Sequence, residues 1–434
     1  MTLKLFSRMQ LSVFFRHALV QNALSLYGVQ IASYLVPLVT IPYLARVLGA
    51  TGWGLVAFAQ AFGAWVALVG EYGFSLSATR EVARHRDNRD KLTHILAGVL
   101  GAKLLLATVS IIFAIAARWW VPIFREHPAL LWAGMSWALA QVFSMMWYFQ
   151  GIERMRLLAS LDISAKALAT TAIFLLVRRP GDAWRVLAIQ GCGFWMSSAI
   201  SLVLVYRQLP FRIPTLASVR EALRMGWSMF LFRGSVSLYT TGNAFILGLF
   251  VSPQFVGYYA GAEKISRAFL GLLNPISQTL YPRLSHLAYH AQNRAAHLAR
   301  ISITVMGVGG AVIGLFVFWL APLLVRLILG NGFEPSVAVL RVLSLLVPLV
   351  AFGNVFGIQW MLPLGLDRAF NRIILFAGLI NLSLALILAP LHTDLGMAWA
   401  VVIAETFVSG SMYLLLRAQK LDPLSMPTGE GEIA

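Results

Sequence analysis

The chain is 434 residues long, 59% hydrophobic and only 12% charged, with a mean hydropathy of +0.77. No soluble core needs that much apolar surface, so a soluble enzyme or soluble binding module is excluded and a multi-pass membrane protein is implied. The formal net charge of +17 fits Lys- and Arg-rich cytoplasmic loops facing anionic head groups, so no nucleic-acid partner is inferred from it.

Taken in chain order, the N-terminal segment places Lys4, Arg8 and Arg16 between apolar positions, without a long apolar core or a small-residue cleavage site. It reads as an interfacial helix rather than a cleaved signal peptide. A helix crosses a hydrocarbon core of about 30 Å in about 20 residues. Twelve such spans fit the chain, near 20–46, 53–77, 93–117, 129–150, 157–178, 184–206, 227–250, 256–280, 301–321, 337–360, 373–390 and 397–417. Most Lys and Arg outside the spans then fall on alternate connections, among them Arg80 to Lys91, Arg154 with Arg156, Arg207 to Arg224, and Arg283 to Arg300. Basic loops stay on the cytoplasmic side, so both termini are expected to be cytoplasmic. The single Cys192 sits in the sixth span, which leaves no intramolecular disulfide to form.

The longest cytoplasmic connection, 207–226, holds Pro210, Pro214 and four Arg, and divides the chain. The expected organisation is an N-terminal lobe at 1–206 (spans one to six), a linker at 207–226, a C-terminal lobe at 227–417 (spans seven to twelve) and a tail at 418–434. The halves echo one another weakly. Leu48 to Gly54 joins the first two spans, Leu249 to Gly257 joins the seventh and eighth, and each ends in glycine before an aromatic-rich helix. Such parallel repeats would be related about the membrane normal.

Ionisable residues inside the apolar segments need a physical reason, because a charge at the bilayer centre costs about 3 kcal/mol on insertion scales. They are Glu71, Lys103, Asp162, Lys166, Arg233, Glu263, Lys264, Arg267 and Glu405. At roughly 100° per residue, Tyr259, Glu263, Arg267, Asn274, Ser277, Gln278 and Tyr281 share one face of the eighth span. The seventh span groups Arg233, Ser237, Thr240 and Thr241, with Asn243 at the margin. The first offers Asn22, Ser25, Gln30 and Ser33 on one side, and the second aligns Gln60 with Glu71. These faces suit either interhelical hydrogen bonds or a watery path. Asp162 with Lys166 and Glu263 with Arg267 stand four residues apart, acid first, the spacing that lets the side chains meet. The first pair reads as a structural clasp. Lys103 has no local partner, and Glu405 is either a proton carrier or a neutral buried carboxyl.

Catalytic signatures are scarce. Asp87 and Asp90 lie among arginines in a solvated loop, and His286, His290 and His297 lack a carboxylate or Cys to complete a metal site. No P-loop occurs, and no connection on the extracytoplasmic side is long enough to build a catalytic domain. Neither an enzyme nor a cofactor is expected, and transport would be driven by an ion or substrate gradient.

Trp147-Tyr148-Phe149-Gln150-Gly151-Ile152-Glu153-Arg154-Met155 resembles the signature of bacterial repeat-unit (Wzx-type) polysaccharide flippases. Further stretches resemble that family in the same order: Asn22 through Pro37, Pro42, Arg46, Leu48 and Gly49 to Gly54; Gly73-Phe74 with Ser77 to Ala83; Leu247-Gly248; Val256 to Tyr259; Ala262 to Ile265; Tyr281 to Arg283; and Leu362 to Gly365. The resemblance implies the multidrug/oligosaccharidyl-lipid/polysaccharide exporter superfamily: an all-α membrane protein with about twelve transmembrane helices in two six-helix lobes around a central cavity. It also implies the bacterial inner membrane as its location. The implied cargo is an undecaprenyl-diphosphate-linked oligosaccharide moved to the periplasmic leaflet, with a polysaccharide polymerase and a chain-length regulator as possible partners alongside membrane lipids. On that basis Arg233, Arg267, Lys103 and Lys264 are expected to attract the diphosphate, and Asn22, Gln30, Gln60, Thr240, Asn274 and Gln278 to contact sugars. Glu71, Glu263 and Glu405 are expected to couple transport to protons or ions. A drug or cation antiporter and a peptidoglycan-precursor flippase of the same superfamily remain open, as does, more remotely, a membrane-embedded glycan polymerase.

Overall fold

The computed structural model describes residues 39–425. The N-terminal interfacial segment, most of the first expected span and the end of the tail lie outside the described residues. Within them every regular element is helical: α1 (39–71), α2 (Phe74–Arg84), α3 (Arg89–Trp120), α4 (Pro122–Glu126), α5 (Pro128–Val142), α6 (Met146–Gly151), α7 (Met155–Leu176), α8 (Ala183–Tyr206) and α9 (Leu216–Thr240) lead into the second half. There follow α10 (Asn243–Gly248), α11 (Pro253–Leu270), α12 (Asn274–His290), α13 (Gln292–Ile328), α14 (Ser336–Ser344), α15 (Leu346–Gly353), a π-helical stretch at Asn354–Met361, and α16 (Asp367–Ala418). Lipid offers no hydrogen bonds to the backbone, so a chain this apolar must satisfy its amides within helices.

Among the described residues eight helical runs are long and apolar enough to cross a membrane. Two of these each fuse two of the twelve expected spans. One is Val39–Arg84, where the left-handed Gly49 (φ 65°) breaks the helical path and Tyr72-Gly73 (φ 50° and 77°) breaks it again. The other is α16, whose 52 residues would extend about 78 Å if straight. No bilayer core accommodates that length, and Thr393 (φ 52°, ψ −130°), just after Pro390, interrupts it. The expected spans at 227–250 and 256–280 fall on α9 to α12, which are more polar and repeatedly broken.

Within the stretch 207–226, expected as the linker, α9 begins at Leu216. Thr215 and Ser218 explain this start, because the Thr215 amide donates to Ser218 Oγ (3.1 Å) and the Ser218 amide donates to Thr215 Oγ1 (3.2 Å). That reciprocal pair satisfies two donors that an open helix end would strand.

The described residues group into two compact units, one comprising 39–43 and Phe62–Arg233, the other Leu44–Ala61 and 234–425. In the first, Phe74, Ala78 and Val82 of α2 pack with Trp147, Tyr148 and Phe149 of α6 in one buried cluster. Gly151 permits this approach, since a Cβ there would lie 2.5 Å from the Val82 side chain and 2.9 Å from the Thr79 carbonyl oxygen. Between α7 and α8, Asp182 accepts the amides of Arg178 and Arg179 (both 3.0 Å) and pairs with Arg185 at 3.0 Å, tying the turn. Asp162 and Lys166 meet at 2.9 Å, as their spacing predicts.

The second unit holds the segment 44–61 through backbone proximity. A Cβ on Gly54 would overlap the Pro253 carbonyl oxygen, and one on Gly257 would overlap the Ala50 carbonyl oxygen. The glycines of the two echoing segments therefore face each other, the small-residue packing that brings helices together where lipid supplies no hydrophobic drive. Elsewhere in this unit Trp360 is fully buried and donates to the Leu421 carbonyl (2.8 Å), while buried Gln359 bonds Ser302 (2.5 Å) and Ser277 (3.2 Å).

Replacing Gly54 or Gly257 by leucine is expected to destabilise the protein by at least about 3 kcal/mol, beyond ordinary overpacking because backbone atoms must move. Gly181, with open space around it, is the control: Gly181→Ala is expected to stay within about 0.5 kcal/mol. Thermal unfolding in detergent measures both.

Candidate functional site

In the first unit the polar constellation starts from the break between α1 and α2. Positive φ at Tyr72 and Gly73 turns the chain, and Glu71 reaches forward across the turn. Its carboxylate accepts the amides of Gly73 (3.3 Å) and Ser75 (2.5 Å), capping the start of α2. Arg233 of α9 donates to the same carboxylate at 2.7 Å and to Ser75 Oγ at 2.7 Å. The Arg233 side chain remains 42% exposed and Glu71 21%. Tyr72 stacks on Phe230 at 4.7 Å between ring centroids, holding the turn against α9.

Lys103 differs sharply. It is 1% exposed, donates to the Ser144 carbonyl (3.3 Å) and sits 5.8 Å from the Trp147 ring centroid. The helical path is interrupted between α5 and α6, and the ammonium takes a carbonyl freed there. Lys103, expected from the sequence to attract the diphosphate, thus braces that break with its ammonium buried.

In the second unit α10, α11, α14, α15 and α16 enclose a cavity of about 120 Å³. Its polar lining residues are Thr240, Asn243, Tyr259, Glu263, Ser266, Arg267 and Glu405. Glu263 Oε1 accepts from Arg267 Nε (3.2 Å) and Nη2 (2.8 Å), and Arg267 also donates to the Thr240 carbonyl. Arg267 is 49% exposed while Glu263 is 19% exposed. Asn381 donates to Asn243 Oδ1 at 2.9 Å, with both residues buried, so the margin of the expected polar face becomes part of its floor. Glu405 is buried at 8% exposure, with Gly353 leaving room beside its carboxyl.

The other expected residues disperse. Asn22 and Gln30 lie outside the described residues. Gln60 is half-buried in the second unit, and Asn274, Gln278 and Lys264 are exposed. The Thr240 hydroxyl is turned back onto the Val236 carbonyl (2.8 Å), so its own carbonyl is what meets Arg267. His286 and His290 stack at 4.4 Å. Ser75, Gly353 and Asn381 escape the sequence pattern. Only Asn381 leaves a signal there, a solitary amide in the apolar run 373–390.

Ion-paired arginines and a buried carboxyl within an apolar, all-helical, multi-pass protein define a membrane transporter. The comparisons agree. The family described as "Polysaccharide biosynthesis protein" matches residues 19–288. A protein of Escherichia coli (strain K12) named "Putative O-antigen transporter" is 32% identical over 403 residues, covering 92% of this chain and 97% of the relative. One of Shigella dysenteriae with the same name is 28% identical over 406 residues, covering 92% and 100%. Among solved structures, the lipid II flippase MurJ in an inward-closed conformation superposes with TM-score 0.67 at 12% identity, covering 92% of this chain and 87% of that one. An inward-facing multidrug-resistance MATE transporter of the MOP superfamily gives 0.65 at 14% identity, covering 91% and 100%. The chain belongs to the polysaccharide biosynthesis protein family, as a Wzx-type flippase with the fold of the MOP superfamily, and is a transporter rather than an enzyme.

Because Glu71 both caps α2 and pairs with Arg233, Glu71→Ala is expected to lose more stability than Arg233→Ala, by about 1 kcal/mol, the worth of a cap. Their double-mutant coupling is expected at only about 0.5–1 kcal/mol, since the arginine is substantially exposed. Thermal unfolding of the four proteins of the cycle checks this, and the reverse order would remove the cap from the account.

Proposed function

We propose that this protein moves undecaprenyl-diphosphate-linked oligosaccharide repeat units from the cytoplasmic to the periplasmic leaflet of a bacterial inner membrane. The observation that carries the reading is the pair of substantially exposed arginines, Arg233 in one unit and Arg267 in the other, each held to a carboxylate at 2.7–2.8 Å. A guanidinium fork matches diphosphate oxygens, and a carboxylate partner keeps it oriented and exchangeable until such an anion arrives. The names of the O-antigen relatives and the lipid II cargo of MurJ support a lipid-linked glycan as that anion.

In this reading the protein works by alternating access between two six-helix lobes of a twelve-span chain with cytoplasmic termini. Arg233 and Arg267 attract the diphosphate, with Lys264 at the approach and Lys103 bracing the fold behind Glu71. Gln60, Asn243, Asn274 and Gln278 offer amides to sugar hydroxyls, and the Thr240 carbonyl offers an acceptor. The return step draws on an ion gradient through the acids Glu71, Glu263 and Glu405. A polymerase and a chain-length regulator would receive the product.

Reversing both charges, Arg233→Glu with Arg267→Glu, is expected to cut surface-polysaccharide export by about thirtyfold or more, the loss of roughly 2 kcal/mol of anion binding. The lipid-linked intermediate should then accumulate on the cytoplasmic face. Export unchanged at normal protein abundance would overturn the reading. Efflux of a cationic dye by the unaltered protein in vesicles, without movement of lipid-linked glycan, would favour a drug antiporter instead.

A further inference from the structure

The first unit holds a cavity of its own, of about 600 Å³, between the end of α2, the start of α3 and the start of α9. Close packing of two helices frames it. A Cβ on Gly98 of α3 would lie 2.7 Å from the Ser218 carbonyl oxygen, and one on Gly101 would lie 2.6 Å from the Pro214 ring. Only the missing side chains let the start of α9 seat so near α3. On the amino-terminal side of that crossing the walls part, and Ile95, Val99, Ala222 and Met225 line an apolar floor.

The rim is polar and of mixed charge. Three carboxylates, Glu81, Asp90 and Glu221, share it with two cations, Lys91 and Arg212. Glu81 is committed to Arg84 at 2.9 Å. The side chains of Asp90, Lys91 and Arg212 meet no partner among the described residues. His85 Nδ1 donates to the Glu81 carbonyl (3.0 Å), because a carbonyl can only accept, and in the neutral ring Nε2 is left as an acceptor. His94 Nδ1 stands 4.0 Å from Glu221 Oε2, spanning from α3 to α9. Among the described residues no three such groups are arranged to hold a metal ion. The near balance of charge also favours neither a strong anion nor a strong cation. It suits a hydroxyl-rich molecule whose C–H faces rest on the floor while its hydroxyls donate to carboxylates and accept from Lys91 and Arg212.

We propose that this cavity docks the glycan of the cargo and reads its sugars while Arg233 holds the diphosphate. The proposal rests on the flippase reading for its cargo. Geometry along α9 links the two positions. Arg233 follows Ala222 by three turns, about 16 Å along the axis, and returns to within about 20° of the same face. Phe230, stacked on Tyr72, stands between them along the helix. A repeat unit of several sugars spans that interval, whereas a single sugar beside the diphosphate does not. With the basic connections on the cytoplasmic side, the cavity faces the compartment from which cargo is loaded. Asp90, read from the sequence as part of a solvated loop, becomes an acceptor for sugar hydroxyls, and Arg212 gives the stretch between α8 and α9 a share in recognition.

The test begins with binding to the full-length protein in phosphatidylglycerol nanodiscs. The probe is the lipid-free oligosaccharide released by mild acid from the bacterium's own lipid-linked repeat units, and the readout is diethyl pyrocarbonate modification of individual histidines. At ten times its dissociation constant the oligosaccharide is expected to slow modification of His94 about tenfold. His290, exposed on α12, should react as before. Asp90→Asn with Glu221→Gln should raise the oligosaccharide concentration needed by about tenfold. Both positions are exposed, so the double variant probes the contact rather than the fold. Asp87→Asn, in the same loop but outside the cavity, is the control and should change nothing. No protection of His94, or equal protection in the double variant, would overturn the proposal, as would protection by phosphatidylethanolamine that the oligosaccharide cannot displace. In proteoliposomes the double variant should lower transport of the full lipid-linked repeat unit, relative to undecaprenyl diphosphate bearing one N-acetylglucosamine, by about tenfold. An unchanged ratio overturns the reading of sugars. If protection behaves as expected while the unaltered protein moves neither cargo, the flippase reading fails and the glycan site stands.

Discussion

The contact on which much of the second unit depends is the approach of Gly54 to Gly257. Two helices can come this close only where neither carries a side chain at the crossing, because a Cβ on Gly54 would overlap the Pro253 carbonyl oxygen and one on Gly257 the Ala50 carbonyl oxygen. In lipid, where apolar surface gains little by leaving its surroundings, such packing replaces the hydrophobic effect as the force between helices. It accounts for a chain segment, Leu44–Ala61, that belongs to the second unit although its neighbours in sequence on both sides belong to the first. The left-handed Gly49 just upstream allows the helical path to turn into that crossing. A weak sequence echo thereby acquires a physical meaning: the echoing segments pack against each other.

The same economy of space governs the charges. Each arginine that would meet an anion is held by a carboxylate, and each of those carboxylates has further work or a two-point grip. Glu71 is as much a helix cap as an ion-pair partner. Among the described residues Glu405 departs from that arrangement: it is buried beside Gly353, where α15 ends and the π-helical turn begins.

The aromatic residues of the Trp147 to Met155 signature serve packing in the first unit. Trp147, Tyr148 and Phe149 are buried against α2, Gly151 lets that packing close, and the Trp147 ring lies over the ammonium of Lys103. Arg86 reaches Glu153 at 3.6 Å near the end of the same segment. These residues of the motif specify how α6 seats in the first unit.

Hydropathy alone determined that this chain is helical and membrane-embedded, because a backbone in lipid has few other ways to satisfy its amides. Residue spacing along one helix also predicted the Asp162–Lys166 and Glu263–Arg267 pairs, since partners four apart meet by local geometry. Contacts between residues distant in sequence were beyond it. Glu71 with Arg233, Lys103 with Ser144, Asn243 with Asn381, and Glu405 beside Gly353 all depend on which helices become neighbours and where they break. The number of continuous helices was equally hidden, because a break such as that at Thr393 leaves the hydropathy of its surroundings unchanged. What sequence periodicity decides is the face of a helix; only tertiary packing decides what that face meets, and so whether a buried charge is a cap, a brace, a ligand or a carrier.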